Sequence, residues 1–238
     1  MTGTLYLIPN TLGEGDEAAL ELVLPAPVRA CASRLGYFVG ENAKSTRAFL
    51  KRVGTERPIQ DIRIAELNVN TPAAQVEALL KPILDGADGG LVSEAGCPAV
   101  ADPGALLVER AHRRGVRVVP FVGPNSILLG LMASGLNGQS FAFHGYLALD
   151  AAARVKQLRE LEQTSRRGKQ TQIFIETPYR NKAMLDAMRS TLAPSTRVCV
   201  AVDLTLPTEQ VVCKPASEWK SDTLDLNKRP AIFLMLAN

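Results

Sequence analysis

The 238-residue sequence has little of what metal sites, disulfide-bonded folds and membrane proteins need. It has four cysteines and two histidines, with no CxxC motif and no Cys/His pairing, so neither a zinc site nor a disulfide framework is expected. No apolar run approaches the roughly 20 residues of a membrane-spanning helix, and the chain does not open like a signal peptide. We therefore expect a cytoplasmic protein without a metal ion and without membrane contact.

The common motifs of nucleotide-binding and hydrolytic enzymes are also missing, among them GxxxxGK[ST], a serine nucleophile elbow and HExxH. The segment GEGDEA at 13–18 formally matches GxGxxG/A, and Glu41 lies roughly where a ribose-binding acid is found in oxidoreductases. However, Pro9 ends the preceding strand too far from Gly13 for the tight strand–turn–helix geometry. A polar surface loop is the favoured interpretation of this segment.

Charge gives little indication of a partner. The chain has 27 basic and 24 acidic side chains, and the net charge of +3 neither indicates nor excludes a nucleic acid. The basic residues are unevenly placed, because four of them lie between Lys44 and Arg52.

Short apolar runs alternate with helical patterns in the first half, which is typical of βαβ units. Strands are predicted at 5–8, 37–39, 90–92 and 116–121, and helices at 45–53, 76–84 and 103–114. In the second half the strands are predicted at 141–144, 172–175, 197–202, 211–213 and 232–236. Helices are predicted there at 126–134, 151–164 and 180–192, the first being apolar nearly all round and therefore expected to be buried.

The last strands follow one another without helices, and residues 163–170 are polar and basic, as in a solvated loop. We predict an α/β protein of two lobes, residues 1–120 with a mostly parallel sheet and residues 121–238 with a mixed sheet. A cofactor cleft is expected between the lobes.

In open parallel sheets, ligands bind beyond the carboxyl ends of the strands, and residues 93–104 form the most unusual of these turns. The segment carries two glycines, two prolines and no bulky side chain. Asp102 followed by Pro103 is explained by a helix N-cap, although a catalytic role for Asp102 stays open. Capping does not explain residues 95–98, whereas a ligand-contacting turn does.

Five segments in order along the chain match one family. They are GTLYLIP at 3–9, LVSEAGCPAVADPG at 91–104, GVRVVPFVGP at 115–124, FHGYL at 143–147 and IFIETPYR at 173–180. With them the chain resembles the tetrapyrrole-methylase superfamily of S-adenosylmethionine-dependent methyltransferases, and in particular the ribosomal RNA small-subunit methyltransferase I branch. That branch methylates a ribose 2′-hydroxyl of a cytidine. The chain ends at Asn238 and is expected to be a short form lacking the branch's C-terminal extension.

The resemblance implies a bilobal α/β fold, a homodimer and an S-adenosylmethionine molecule bound mostly by main-chain groups at fixed turns. Cys97 stands where the family often has Thr or Asp, so its backbone, more than its side chain, is expected to make the contact. Carried over by matching positions, the cofactor-binding residues are Pro9, Ala95, Cys97, Val100, Asn125, Ser126, Glu176, Leu204 and Ala231.

The departures from the family concern the substrate side. The branch's EDTR is here Glu41-Asn42-Ala43-Lys44, and its histidine-containing region corresponds to NVNT at 68–71, which has no histidine. Glu41 is the first candidate for an acid/base or substrate-orienting role, with Lys44 as its charge partner, and a solvated pair of charges is the alternative.

Three further residues are candidates for contact with the substrate. Arg47 and Arg180 could meet substrate phosphates or could be ordinary surface charges. His144 follows an apolar strand and could face the substrate or be a hydrogen-bonded core residue.

The sequence thus predicts an S-adenosylmethionine-dependent methyltransferase whose substrate is ribosomal RNA, modified at a ribose 2′-hydroxyl. Two alternatives stay open. One is a methylase of a tetrapyrrole or another small molecule, and the other is a protein that binds S-adenosylmethionine without catalysis.

Overall fold

The computed structural model describes residues 2–13, 20–220 and 224–237. It divides the chain into two compact units, Met1–Asn125 and Ser126–Asn238. The sequence predicts the boundary five residues earlier, between residues 120 and 121. The glycine pattern at 13–18 lies, apart from Gly13, outside the described residues.

The first unit is a five-stranded sheet with helices on both faces. Its strands are β1 (Thr4–Ile8), β2 (Tyr37–Gly40), β3 (Arg63–Glu66), β4 (Gly89–Val92) and β5 (Arg117–Pro120). They lie in the order β3-β2-β4-β1-β5, and every neighbouring pair is parallel. Its helices are α1 (Leu20–Val23), α2 (Ala26–Arg34), α3 (Ala43–Val53), α4 (Ala73–Val76), α5 (Lys81–Leu84) and α6 (Gly104–Arg113), with 3₁₀ turns at Ile59–Asp61 and Glu77–Leu80.

Burial on both faces explains why the central strands are continuous apolar runs. In β2, Phe38 packs with the core cluster around α2 and α3, whereas Tyr37 and Val39 pack with the cluster that contains Val76, Leu80 and Leu107. The predicted parallel sheet is therefore confirmed.

Two local predictions in this unit were wrong. The single helix predicted at 76–84 is broken into α4, a 3₁₀ turn and α5, because Pro82 has no N–H for a regular helical bond at that point. Strand β3 was not predicted, since it is an edge strand whose end residues Arg63 and Glu66 are charged and exposed.

The second unit is built on a mixed sheet, as predicted. Its strands are β6 (Phe141–Tyr146), β7 (Thr171–Ile175), β8 (Arg197–Val202), β9 (Gln210–Pro215) and β10 (Ala231–Leu236), and its helices are α7 (Ser126–Ser134), α8 (Ala151–Gly168) and α9 (Asn181–Thr191), with a 3₁₀ turn at Ala216–Glu218. The order is β6-β7-β10-β8-β9; β6 and β7 are parallel, and the other pairs are antiparallel.

One face of this sheet carries the larger core. Val198, Val200 and Phe233 pack there against side chains of α8 and α9 and against the indole of Trp219. The indole Nε1 donates to the carbonyl of Val198 at 3.2 Å, so this large ring is buried with its polar atom satisfied.

The structure corrects two helix predictions here. Helix α7 is not enclosed: Gly130 packs on β10, but Leu128 and Met132 on the other side are 49% and 78% exposed. Residues 163–168 belong to α8 and are not a loop. Ser165 is fully buried, donating to the carbonyl of Gln170 and accepting from the N–H of Ala237, so part of the polar character of this segment serves internal bonds. No helix within the described ranges has both the length and the apolarity to cross a membrane.

Candidate functional site

Four loops of the first unit meet at one edge of its sheet, because β1, β2, β4 and β5 are parallel and end there. Pro9 follows β1, Glu41 follows β2, the segment 93–104 follows β4, and Asn125 comes after β5. This edge, called the first edge below, contains the predicted site residues Pro9, Glu41, Ala95, Cys97, Val100 and Asn125.

Asn10 fastens the loop after β1 to the loop after β4. Its side-chain amide donates to the carbonyls of Ser93 and Glu94, both at 3.1 Å, and its Oδ1 accepts from the N–H of Thr11 at 2.8 Å. Its backbone also exchanges two hydrogen bonds with Gly96, at 2.9 and 3.2 Å. Asn10 is only 8% exposed, so it is a buried link between these two loops.

The segment after β4 has an unusual backbone. Gly96, Ala99 and Ala101 have φ angles of 69°, 66° and 60°, and the two alanines lack the freedom of glycine in this region. The carboxylate of Asp102 accepts from the N–H of Ala99 at 2.9 Å and from that of Gly104 at 2.7 Å. Asp102 therefore organises the start of α6, but the predicted N-cap is wrong, because Pro103 and not Asp102 occupies that position.

Cys97 points toward the loop after β5. Its thiol donates weakly to the carbonyl of Pro124 at 3.5 Å and contacts Asn125, while burial raises the pKa of the thiol. The side chain is thus engaged within the protein, which fits a main-chain role for this residue. Ala95 and Val100 are exposed at the same edge.

Gly123 is required by a close approach of two loops. A Cβ atom at this position would lie 2.2 Å from the Cβ of Pro9, far inside contact distance. The loops after β1 and β5 therefore touch directly at Pro9.

Glu41 lies in a partly buried group of carboxylates. Burial raises the pKa of Glu41, the backbone N–H of Glu94 lowers it by donating a hydrogen bond, and the negative charges of Asp102 and Glu94 raise it further. The net effect is a raised pKa. A carboxyl with this property is suited to exchange a proton nearer neutral pH.

Helix α3 begins beside Glu41. Asn42 caps it by accepting from the N–H groups of Lys44 and Ser45, and the Ser45 hydroxyl donates to Glu94 at 2.5 Å. Lys44 and Arg47 are exposed. The ion pairs of the described residues do not join Lys44 to Glu41, so the expected charge pair is not formed in this structure.

The second unit places its predicted residues at one edge of the mixed sheet, called the second edge below. Ile175 at the end of β7 is opposite Ile232, and Val202 at the end of β8 is opposite Ala231. Glu176, Leu204 and Ala231 consequently lie near each other at this edge. Ser126 is the first residue of α7.

Both carboxylate oxygens of Glu176 interact with residues of its own loop. Its Oε1 accepts from the N–H of Thr177 at 2.8 Å, and its Oε2 lies 2.9 Å from Nη2 of Arg180. The approach of these two charged atoms is not aligned as a hydrogen bond, and both are buried. Arg180 is a predicted phosphate-binding residue, and its guanidinium already forms an ion pair with Glu176.

Leu204 is held by a strained turn between β8 and β9. Its neighbours Asp203 and Thr205 have φ angles of 50° and 74°. The carboxylate of Asp203 stabilises the turn by accepting from Nε of Arg229 at 2.8 Å and from the hydroxyl of Thr208 at 2.7 Å.

His144 is exposed and not a core residue. Its Nε2 is 2.7 Å from Oε1 of Gln172, a residue that is fully buried. One ring nitrogen is thus engaged, and the ring remains accessible at its other side.

Sequence reasoning missed Asn10, Ser45 and Asp203, which shape the two edges without belonging to a recognisable motif. Among the residues that the structure describes, no group of three or more His, Cys, Asp or Glu side chains is arranged to hold a metal ion.

The chain is similar to known methyltransferases. The sequence model of the family Tetrapyrrole (Corrin/Porphyrin) Methylases matches residues 20–219. A protein of Vibrio cholerae named Ribosomal RNA small subunit methyltransferase I is 37% identical over 235 residues, which cover 97% of this chain and 76% of that protein. A protein of the same name from Xylella fastidiosa is 29% identical over 237 residues, with 98% and 81% covered.

Solved structures show the same fold. The methyltransferase CobJ superposes with a TM-score of 0.65 at 16% identity, covering 99% of this chain and 95% of that one. The uroporphyrin-III-C-methyltransferase from Thermus thermophilus gives 0.56 at 16% identity, with 99% and 93% covered.

Proposed function

The chain belongs to the tetrapyrrole (corrin/porphyrin) methylase family, and from that premise we propose that it transfers the methyl group of S-adenosylmethionine to RNA of the small ribosomal subunit. The predicted methyltransferase activity is confirmed by the family and by the names of the relatives. The RNA substrate rests on one observation, the 37% identity over 97% of the chain to a protein whose name gives that substrate.

Two features of the first edge support the proposal that it binds S-adenosylmethionine. When bound, this cofactor supplies a methyl group activated by a positively charged sulfonium. Ala95 is exposed and small, which lets main-chain groups approach a ligand, and the carboxylates of Glu41 and Glu94 favour a cation. We propose that Pro9, Ala95, Cys97, Val100 and Asn125 contact it mainly through their backbones.

The family resemblance implies that residues of the second unit also bind the cofactor. We propose that Ser126, Glu176, Leu204 and Ala231 also contact S-adenosylmethionine. The left-handed residues on both sides of Leu204 support a main-chain role there, since they turn the peptide groups of this short loop in unusual directions.

The acceptor is proposed to be a ribose 2′-hydroxyl, which must lose its proton as the methyl group is transferred. Glu41 is the proposed base, because its raised pKa makes it a better proton acceptor than an ordinary glutamate. The exposed cations Lys44 and Arg47, on the helix that begins next to Glu41, are proposed to bind RNA phosphates, and Arg180 and His144 are proposed to bind substrate from the second unit.

We further propose a homodimer in the cytoplasm. The resemblance implies the dimer, and the exposed apolar side chains of Leu128, Met132 and Leu149 in the second unit are consistent with a surface that a partner covers. Light scattering of the purified chain should give twice the mass of one chain; a single-chain mass at micromolar concentration would refute the dimer.

The function is tested by incubating the purified chain with methyl-labelled S-adenosylmethionine and, in parallel, small ribosomal subunits, protein-free ribosomal RNA and a porphyrinoid. Label is expected in RNA. The methylated position should resist alkaline hydrolysis, because a 2′-O-methyl group removes the hydroxyl that attacks the neighbouring phosphate.

The Glu41→Gln variant tests the proposed base, since glutamine is nearly the same size as glutamate and cannot accept the proton. It should still bind S-adenosylmethionine in calorimetry, because Glu94 keeps a carboxylate at this edge, but it should label RNA at least about a hundredfold more slowly, the usual contribution of a general base. Label in the porphyrinoid alone would replace RNA with a small-molecule substrate. Cofactor binding without transfer to any of the three acceptors would contradict the proposal.

A further inference from the structure

Two cysteines of the second unit face each other across neighbouring strands. Cys199 in β8 and Cys213 in β9 are directly opposite in the antiparallel register, and their thiols are joined by a hydrogen bond. Opposed residues in such a ladder have Cα atoms about 4.5 to 5.5 Å apart and point to the same face of the sheet. This spacing falls inside the range of about 4.4 to 6.8 Å that a disulfide spans, so the pair can be linked with little backbone movement.

The two thiols differ in a way that assigns them separate roles. Cys199 is fully buried, whereas Cys213 is exposed on β9, which is one of the two edge strands of the sheet. The hydrogen bond from Cys199 and the positive charge of Arg197 together lower the pKa of Cys213 to about 7, against the opposing effect of burial. The pKa of Cys199 is raised by its hydrogen bond to Cys213 and by burial.

We propose that Cys199 and Cys213 form a peroxide-sensitive dithiol, in which Cys213 is oxidised first and Cys199 converts the product to a disulfide. This modification is separate from methyl transfer, since neither cysteine is among the proposed site residues. An accessible thiolate next to a second thiol is the arrangement typical of a reversible oxidation site.

The chemistry requires only hydrogen peroxide. The thiolate of Cys213 attacks one peroxide oxygen, an S–O bond forms as the O–O bond breaks, and the departing hydroxide takes up a proton to give water. The sulfur of Cys199 then displaces the hydroxyl from Cys213, and that hydroxyl leaves with the Cys199 proton as a second water. In total, two thiols and one peroxide give one disulfide and two waters.

The remaining cysteines provide internal controls. Cys31 and Cys97 lie in the first unit, and burial raises the pKa of both thiols. Cys31 is buried and Cys97 half-buried, so they should react slowly. At pH 7 we expect Cys213 to be alkylated at least about fivefold faster than Cys97, because a pKa near 7 leaves about half of a thiol ionised and an ordinary one only a few per cent.

The test oxidises the reduced full chain with hydrogen peroxide, alkylates the remaining thiols and digests the product. Cleavage after Glu209 separates the two cysteines, so a disulfide keeps two peptides joined until a reductant is added. We expect the count of alkylated cysteines to fall from the four in the sequence to two, and to return to four after reduction. The C31S/C97S double variant should form the same linked product.

The single variants separate the two roles. In C199S, Cys213 should accumulate as a sulfenic acid that a dimedone probe captures, whereas C213S should lose no thiol at the same peroxide dose. Because Cys199 is buried, circular dichroism would first check that C199S is folded; C213S, at an exposed position, tests the proposal independently. Linkage of Cys213 between two chains, or equal oxidation of all four cysteines, would overturn the proposal.

Discussion

Replacing Asn10 with alanine should loosen the turn after β4 without removing any residue proposed to contact S-adenosylmethionine. The variant loses the two hydrogen bonds from the side-chain amide to the carbonyls of Ser93 and Glu94 and the one that Oδ1 accepts from Thr11, while the backbone bonds to Gly96 remain. Each bond contributes about 1 kcal/mol to stability, so the expected loss is about 3 kcal/mol.

This loss should appear in two measurements. A protein of this size loses about 2 to 4 °C in melting temperature per kcal/mol, so calorimetry should show a fall of roughly 6 to 12 °C. If ordering the loosened turn costs about 1.4 kcal/mol when S-adenosylmethionine binds, the affinity should fall about tenfold. Isothermal titration at a temperature where the variant is folded measures this second effect separately.

Asn137→Ala is the matched control. Asn137 also makes two side-chain hydrogen bonds to the backbone, to Lys169 and Gln139, but it lies in the second unit and outside the proposed site. It should lower the melting temperature and leave binding of S-adenosylmethionine unchanged. A role of Asn10 in ordering this turn would be excluded if Asn10→Ala melted and bound like the unmodified protein, or if both variants weakened binding equally.

Three further predictions concern the same edge. Gly123→Ala should lower the free energy of unfolding by about 3 kcal/mol or more, because its Cβ meets Pro9. Gly138→Ala has open space around its Cβ and should change the free energy of unfolding by no more than about 1 kcal/mol, and denaturant unfolding measures both variants. Since the pKa of Glu41 is raised, its contribution to stability is present below the ordinary value of 4.5 and is lost as pH rises through the raised pKa. Glu41→Gln should therefore unfold at a higher temperature than the unmodified protein at pH 7 and at the same temperature below pH 4; no difference at pH 7 would contradict this. Arg47→Ala should weaken RNA binding and reduce the slope of log affinity against log salt by about 1, and an unchanged slope would exclude a phosphate contact.

Much of the fold could be predicted because its signals are local. The apolar run of β4 and the periodic apolar positions of α3 and α6 reflect burial on fixed faces, and their order along the chain indicates a parallel sheet. Once the sheet is parallel, the loops after its strands must meet at one edge. The placement of Ala95 and Cys97 beside Pro9 follows from this rule.

The hydrogen bonds of Asn10 and the strained turns could not be predicted in the same way. Asn10 bonds to residues more than 80 positions away, so nothing in its neighbourhood distinguishes it from a surface asparagine. Ala99 and Ala101 adopt left-handed φ angles that favour glycine, and only the surrounding contacts, including the bond from Ala99 to Asp102, impose them. Ser165 was misassigned because its buried bonds to distant backbone groups cannot be distinguished from solvation in a sequence.

The departure from the family's EDTR pattern changes charge more than shape. Asn42 stands at the position of the aspartate and caps α3, and asparagine and aspartate are about equally good at this position. The N–H of Ala43 is bound by Glu66 at 2.8 Å, so the start of the helix is secured without the family's threonine. What is lost is a negative charge next to Glu41. Because the charges of Asp102 and Glu94 already raise the pKa of Glu41, a further carboxylate at position 42 would raise it more. Asparagine therefore leaves Glu41 more easily ionised, which is the state that the proposed proton transfer requires.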